Sequence, residues 1–403
     1  MPNKNHDALV KAYNNFDSQP LRGEKLKKFY IDDFTKDSVK GIITTIRITK
    51  RFKKMLVIGH RGCGKSTILN KVAEELYNDY HVVVFSVADI INMMDVEAVD
   101  ILLGTYLQVL QSVEKQGKFD NLQQSFKHFM KSFAKKDFKL EEVTLLGIAL
   151  KFKVEPESRA TIREGLRNQI DTLQQNISEA CHHIHQQKGK DILIIIDGLD
   201  RLDVKFAERV FYDNSDLLLL PEAKIVYTFP LATYYCDDFI SIRARYEDQF
   251  ISVVNLQTPD GRDLESSQKA LTKLILRRID QTLITDDAIN YVINMSGGLL
   301  RDVVKFMQDA CKLALVDNLS VIDQSTVEDG INDHILDYYR VFDFPTYVEK
   351  VKYIAQTKKT IDKKTLVYLL RFLFVLEYRH NKELWYDVHP CLNKALALES
   401  ETQ

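Results

Sequence analysis

The sequence predicts an α/β fold built on a parallel β-sheet, and two stretches carry that prediction. The short apolar strand Met55–Ile58 runs directly into a glycine-rich turn and the start of a helix. Much later, the aliphatic strand Ile192–Ile196 ends in an acid, Asp197. Strands buried on both faces are continuously aliphatic, and parallel sheets place ligands at the carboxyl ends of their strands. These two polar strand ends are therefore the candidate site.

Length and composition limit the classes of protein that remain. A chain of 403 residues exceeds one typical core, so we expect more than one compact unit. A net charge of −2 gives no overall attraction to nucleic acid or membrane. The five cysteines are scattered without a C-x-x-C pair, which favours a reducing compartment. With neither a membrane-length apolar run nor a signal-peptide core, we predict a cytoplasmic protein without a membrane partner.

The turn after the first strand is the most specific signal. Residues 59–66, GHRGCGKS, fit G-x-x-x-x-G-K-[ST] without a mismatch, in the strand–turn–helix context that the motif requires. Its glycines let backbone N–H groups converge on an anion. Lys65 would reach the β- and γ-phosphates, and the Ser66 hydroxyl would bind Mg²⁺. The predicted cofactors are ATP and Mg²⁺, and the predicted nucleotide-binding residues are Gly59, His60, Arg61, Gly62, Cys63, Gly64, Lys65, Ser66 and Thr67.

An N-terminal lead-in, residues 1–50, precedes a predicted core at 51–258. Tyr80–Val87 is β-branched and predicts a second strand. Residues 88–190 then exceed one crossover and predict a helical insertion, with patterns at Val96–Val113 and Ser158–His185 and a possible strand at Ala149–Val154.

One stretch of the insertion allows two interpretations. Phe126, Phe129 and Phe133 recur at helical spacing among Lys127, Lys131, Lys135 and Lys136. Such a basic amphipathic helix could contact a membrane, nucleic acid or a partner. A helix that packs its Phe face on the domain, with its lysines in solvent, is the simpler interpretation.

The strand that ends at Asp197 supplies the second half of the candidate site. Asp197 would hold Mg²⁺, and Asp200 could act as general base on the attacking water. A core strand that merely ends in solvated acids is the alternative. Two further strands are predicted at Ala223–Thr228 and Phe250–Asn255. Thr228 could hydrogen-bond the water or the γ-phosphate, although a hydroxyl in a strand is common without such a role.

The turn Thr258–Gly261 ends the core and begins a predicted helical lid, residues 259–333. Helical patterns cover Ser267–Asp280, Asp286–Met295 and Leu299–Leu315, and Ser296 is a predicted N-cap. Arg301 would stand in the first turn of the third helix, where the helix dipole disfavours a cation. An anionic partner would account for an arginine at this position. The alternative is that Arg301 is an isolated surface charge without such a role.

The last segment, residues 334–403, changes character. Helices near Thr346–Ala355 and Lys363–Phe372, then two strands about a polar turn, are typical of a winged helix. A local basic patch could bind DNA, but the wing is mixed in charge, so a protein contact or a structural role stays open. The patch consists of Lys350, Lys352, Lys358, Lys359, Lys363, Lys364 and Arg371.

Taken together, the chain resembles the AAA+ and STAND-type P-loop ATPases, most of all the origin-recognition and cell-division-control branch. The resemblance covers about residues 40–395 and is carried by GHRGCGKST at 59–67, IIIDGLD at 194–200, SGGLLRD at 296–302 and WYDVHP at 385–390. It implies a P-loop NTPase parallel sheet of five core strands with a helical insertion, a small helical lid and a C-terminal winged-helix domain.

The same resemblance implies residue roles. Thr228 would be sensor 1 and Arg301 sensor 2, while Arg243 or Arg245 would be an arginine finger that completes a neighbouring subunit's site. A homo-oligomer formed on ATP binding follows from that role. The long insertion and the sequence DGLD, in place of the usual D-E pair, resemble the bacterial conflict-system (defence) STAND ATPases instead.

The predicted function is an ATP-binding and ATP-hydrolysing switch whose nucleotide state controls self-assembly or engagement of a protein effector. Two alternatives stay open. One is a DNA-binding initiator or loader that uses the winged helix, and the other is a nucleotide-binding scaffold with negligible turnover.

Overall fold

The computed structural model describes residues 4–49, 52–114, 120–133, 145, 153–380 and 383–402. The chain forms two compact units. The first contains Met1–Lys40, Gly59–Lys71 and Phe250–Gln403, and the second contains Gly41–Ile58 and Val72–Gln249. The predicted boundaries of the lead-in, core, lid and winged helix stay predictions.

The sheet has five strands: β1 Lys54–Gly59, β2 Tyr80–Ser86, β3 Asp191–Asp197, β4 Lys224–Pro230 and β5 Glu247–Phe250. Their order in the sheet is β2-β3-β4-β1-β5. β2 pairs in parallel with β3, where Ser86 lies opposite Asp197, and β3 pairs in parallel with β4. Leu193 to Ile196 of β3 are fully buried, as expected for a strand covered on both faces.

Four of these strands lie where the sequence predicts them, and the fifth does not. The strand predicted at Phe250–Asn255 is wrong, because strand pairing covers Glu247–Phe250 and residues 251–255 form no strand. Ile251 and Val253 are nevertheless buried. β-branched residues favour an extended backbone and burial whether or not a strand pairs with them, so their pattern misplaced the strand.

The insertion is helical where it is described. The pattern predicted as one helix over Ser158–His185 is two helices, Pro156–Asn168 and Ile170–Lys188. The possible strand Ala149–Val154 falls largely outside the described residues, and its last two residues are helical. Helix Asp120–Phe133 packs Phe126 edge-on against Tyr106 with ring centroids 5.1 Å apart.

Phe126 and Phe129 of that helix thus belong to the core, as the simpler interpretation expects, while the side chain of Phe133 lies outside the described residues. Phe126 is fully buried and Phe129 nearly so, while Lys127 and Lys131 are exposed. Lys135 and Lys136 lie outside the described residues. Within the described ranges, no helix has both the length and the apolar character needed to cross a membrane.

The first unit carries the C-terminal helices and a second, two-stranded sheet. β6 (Val375–His380) pairs antiparallel with β7 (Glu383–Val388), and we call this pair the hairpin. Helices Phe344–Thr357 and Lys363–Arg371 precede the hairpin, in the order that the sequence predicts. Its assignment as a winged helix stays a prediction. The predicted boundary at 333 and 334 falls inside one continuous helix, Gln324–Val341.

Ser296 does not cap the helix that follows it. That helix begins at Leu300, whereas Ser296 ends the preceding helix Asp286–Met295, and its hydroxyl accepts a hydrogen bond from the N–H of Gly298 at 3.0 Å. The glycine pair after Ser296 delays the helix start, so the N-cap prediction is wrong.

The remaining α-helices are His6–Asn15, Gly23–Phe29, Lys36–Ile48, Lys65–Leu76, Val87–Ile90, Ala98–Gln111, Val204–Glu208, Ser215–Leu219, Leu231–Tyr234, Asp237–Ile242, Glu265–Leu276, Leu300–Val316 and Pro390–Thr402.

Candidate nucleotide-binding site

The phosphate-binding turn, residues 59–66, joins the end of β1 to helix Lys65–Leu76 and needs its glycines for two reasons. Gly62 has φ +93°, a left-handed conformation that costs a side chain energy, and a Cβ there would lie 3.0 Å from the Cβ of Arg301. A Cβ on Gly59 would collide with the carbonyl oxygen of Ile251. The turn therefore has the backbone conformation and close packing that its motif predicts.

Lys65 is anchored within the turn itself. Its Nζ donates hydrogen bonds to the carbonyl oxygens of Gly59, at 2.9 Å, and of His60, at 2.7 Å, and its side chain is buried. An ammonium group has three N–H donors, and at Lys65 two of them bond to carbonyl oxygens of the turn. These two hydrogen bonds hold the Lys65 ammonium in place at the turn.

The other predicted ligands of the turn differ in exposure. Arg61 is exposed, Cys63 is buried, and Ser66 is half-buried. Thr67 contacts the lead-in, because its Oγ1 accepts a hydrogen bond from the N–H of Leu21 at 3.2 Å. Sequence reasoning placed Thr67 at the nucleotide and did not anticipate this contact.

Arg301 lies directly against the turn. Its backbone N–H donates to the carbonyl oxygen of Gly62 at 3.0 Å, and both residues belong to the first unit. The sequence predicts an anionic partner for this arginine, and the structure places it beside the turn predicted to bind phosphate.

His60 makes a contact that no sequence signal indicates. Its Nε2 accepts a hydrogen bond from the N–H of Glu377 in the hairpin at 2.7 Å, across 317 positions of the chain. Burial lowers the pKa of His60 to about 3, and the nearby Lys65 ammonium acts in the same direction, so the ring is neutral at neutral pH.

The acidic turn after β3 belongs to the second unit. Asp197 ends the strand, 7% exposed, and its Oδ1 accepts a hydrogen bond from the N–H of Gly198 at 2.8 Å. Asp200 lies in Leu199–Arg201, which forms one turn of 3₁₀ helix, and is half-buried. Thr228, fully buried in β4, accepts a hydrogen bond from the N–H of Leu199 at 3.0 Å. The structure thus brings Thr228 to the acidic turn.

The two candidate finger arginines are partly exposed and already ion-paired. Arg243 Nε lies 2.8 Å from Asp248 Oδ2, and its guanidinium stacks over the Tyr234 ring at 4.9 Å. Arg245 pairs with Asp216 and donates to Ser215 Oγ at 3.0 Å. These carboxylates hold both side chains at the surface of the second unit.

Comparison with known proteins agrees with this geometry. Residues 54–226 match the model of the KAP family P-loop domain, a range that runs from β1 into β4. The chain has a P-loop NTPase fold. Among curated proteins, none matches it.

Solved structures align with this chain over most of its length. The RuvB Holliday junction branch migration motor of Thermotoga maritima is 13% identical, with 94% of this chain and 98% of that chain covered and a TM-score of 0.40. ORC2 of Aeropyrum pernix is 8% identical, with 96% of each chain covered and a TM-score of 0.45. Cdc6p of Pyrobaculum aerophilum is 12% identical, with 96% and 97% covered and a TM-score of 0.43. At such identities and TM-scores, these likenesses assign no function.

Proposed function

We propose that this P-loop NTPase is a Mg²⁺-dependent ATPase that acts as a molecular switch, and that its nucleotide state controls self-assembly or engagement of a protein partner. The observation that carries the proposal is the complete phosphate-binding turn after β1, with Lys65 anchored in it and Arg301 against Gly62. Convergent N–H groups, a helix N-terminus and two cations favour a polyphosphate ligand.

Each predicted residue has a role in this proposal. Lys65 and Arg301 would bind the phosphates, and Thr228 would act as sensor 1 through the turn that it holds. Ser66 and Asp197 would hold Mg²⁺, since a hydroxyl and a carboxylate are hard oxygen ligands of the kind that this ion prefers. The bound ion supplies charge neutralisation to the phosphates. Asp200 would accept the proton of the attacking water.

The proposed self-assembly is based on Arg243 and Arg245. Both lie on the surface of the second unit, with side chains 54% and 41% exposed. An arginine supplied by a neighbouring subunit stabilises the charge of the transferring phosphoryl group. Such a role requires each arginine to exchange its carboxylate partner, Asp248 or Asp216, for the neighbour's phosphate.

The test is a phosphate-release assay over a wide range of protein concentration. Activity per chain should rise with concentration, and an Arg243→Ala, Arg245→Ala double variant should bind ATP normally yet lose that rise. Mixing this variant with Lys65→Ala protein should restore part of the activity, because intact arginines of one chain can serve the intact turn of another. Flat specific activity, a monomer by light scattering with ATP present, and no restoration on mixing would exclude assembly.

Turnover separates the switch from a scaffold that only binds nucleotide. Asp200→Asn should bind ATP but hydrolyse it slowly, since an amide cannot accept the proton of water. Wild-type protein that binds ATP and releases no phosphate would favour the scaffold. Unchanged single-turnover hydrolysis in Asp200→Asn would move the general base to another residue.

A DNA-binding loader is the second candidate, and the exposed lysines Lys359, Lys363 and Lys364 favour it. Within the same patch, Lys350 pairs with Asp362, Lys352 with Glu349 and Lys358 with Asp387. If DNA is bound, its affinity should fall with salt and with neutralisation of the three exposed lysines. Salt-independent or undetectable binding would remove this candidate.

We propose bacterial defence signalling as the pathway. This proposal is based on two features, the long insertion and the sequence DGLD at 197–200. Cells that carry the wild-type gene should resist phage infection better than cells that carry the Lys65→Ala variant. Equal plaque counts would contradict this pathway and leave the ATPase proposal intact.

A further inference from the structure

The phosphate-binding turn is linked to the hairpin through one residue that its motif leaves unspecified. G-x-x-x-x-G-K-[ST] accepts any residue where His60 stands. Here the histidine is 3% exposed and its Nε2 accepts the backbone N–H of Glu377 at 2.7 Å, within the first unit. A backbone donor in a strand of the hairpin is thereby fixed to the turn.

The hydrogen bond imposes one tautomer on the ring. The ring is neutral at neutral pH because burial lowers its pKa to about 3. Since Nε2 accepts, the proton must be on Nδ1. Nδ1 is buried and has no hydrogen-bond partner among the described residues. A buried N–H without an acceptor lowers stability, so stability alone does not account for a histidine at this position.

The same residue holds the lysine of the turn. The carbonyl oxygen of His60 accepts a hydrogen bond from Lys65 Nζ at 2.7 Å. A continuous set of contacts therefore runs from the N–H of Glu377, through the imidazole and the peptide of His60, to the Lys65 ammonium. If the hydrogen bond between Glu377 and the imidazole is lost, the peptide of His60 is less constrained. The carbonyl of that peptide helps to orient the Lys65 ammonium.

The hairpin has its own attachments, so it can act as a fixed support. Tyr378 OH donates to the carbonyl oxygen of Gly297 at 2.7 Å, and the Tyr378 ring stacks on Trp385 with centroids 4.4 Å apart. The Arg379 guanidinium lies 3.6 Å from the centroid of the Phe250 ring and pairs with Glu377 at 2.9 Å.

We propose that His60 is a positioning residue that couples the hairpin to Lys65. Its bond to Glu377 orients the ammonium for the phosphates, and nucleotide binding in turn strengthens that bond, because coupling between two sites is reciprocal. The inference rests on the proposed nucleotide-binding function and adds the hairpin as the element that reports nucleotide occupancy.

The test compares His60→Leu, which lacks an acceptor, with His60→Gln, whose side-chain oxygen can replace Nε2. Leu384→Ala is the matched control, since it truncates a hairpin side chain that is 47% exposed and is not one of the attachments described above. By calorimetry, His60→Leu should weaken ATP binding about tenfold, His60→Gln should recover most of this, and Leu384→Ala should change little. ATP should slow hydrogen exchange at the Glu377 amide in the wild type but not in His60→Leu.

Three results would overturn the inference in distinguishable ways. Equal ATP affinity in the wild type and His60→Leu, or equal slowing of Glu377 exchange by ATP in both, excludes the coupling and leaves the nucleotide site intact. No ATP binding by the wild type excludes the proposed function and the coupling together. If circular dichroism shows His60→Leu to be unfolded, His60→Asn replaces it in the test. The side-chain oxygen of Asn lies where Nδ1 lies in histidine and not where Nε2 lies, so this variant also lacks an acceptor for the N–H of Glu377.

Discussion

The phosphate-binding turn and the acidic turn after β3 are stabilised in different ways. Arg301 and Glu377 contact the phosphate-binding turn from far along the chain, the latter across 317 positions. The acidic turn is held by Thr228 of the adjacent strand, 29 positions away. Nucleotide affinity should therefore depend on C-terminal elements of the first unit, whereas the placement of the acids should depend on the sheet.

The largest effect should come from removing the cation of the phosphate-binding turn. Lys65→Ala should weaken ATP binding about 100-fold or more, because the lysine would make charge-assisted hydrogen bonds to two phosphates, each contributing about 1.5–3 kcal/mol, and each 1.4 kcal/mol is tenfold. Calorimetry measures this loss. Lys71→Ala, on the same helix, is the control and should bind normally. Wild-type affinity in Lys65→Ala would contradict the nucleotide site.

Asp197→Asn should affect the other turn and hence a different property. ATP should still bind, but binding should lose most of its Mg²⁺ dependence and turnover should fall about tenfold or more, since a neutral amide is a poorer ligand for Mg²⁺. Titration of ATP with and without Mg²⁺, together with phosphate release, checks this. A variant that equals the wild type in both assays would show that Asp197 is not the metal ligand.

Thr228→Val should give a smaller effect on stability and turnover. The N–H of Leu199 would remain buried without its acceptor, which costs about 1–3 kcal/mol in the free energy of unfolding. Turnover should fall because the acidic turn is less firmly held, while ATP affinity should change little. Thr228→Ser keeps the hydroxyl and is the control. Loss of ATP affinity without loss of stability would instead favour direct contact between Thr228 and the nucleotide.

The smallest effect should be at Asp362, which caps helix Lys363–Arg371 by accepting the N–H of Thr365 at 2.9 Å. Asp362→Ala should lower the free energy of unfolding by about 1 kcal/mol and leave ATP affinity unchanged. The N–H of Thr365 and then Lys350 lower the pKa of Asp362 to about 2, from 3.8. The stability difference should therefore be constant above pH 3.8 and shrink as the pH falls toward 2.

Denaturant unfolding across this pH range measures the Asp362 difference. A difference that grows on acidification would contradict the capping role. Reduced ATP affinity in Asp362→Ala would mean that the nucleotide site depends on the C-terminal helices more widely than through Arg301 and Glu377.

The sequence by itself determined four of the five strands, the phosphate-binding turn and the acidic strand end. Met55–Ile58 and Ile192–Ile196 are continuous aliphatic runs, and such runs form buried parallel strands. The G-x-x-x-x-G-K-S pattern specifies its own backbone conformation, because its second glycine, Gly64, adopts a positive φ of +97°. Backbone conformation and the direction of N–H groups are local properties, so neighbouring residues suffice to encode them.

Only the tertiary structure decided which partners these segments have. Nothing near Lys54 indicates that its Nζ is buried and donates to the carbonyl oxygens of Pro221 and Ala223, and nothing near His60 indicates Glu377. β5 was misplaced because buried, β-branched Ile251 and Val253 lie in an extended chain without strand partners. Periodicity shows that a residue is buried, but packing between distant segments selects its neighbours, and that selection depends on the shape of the whole unit.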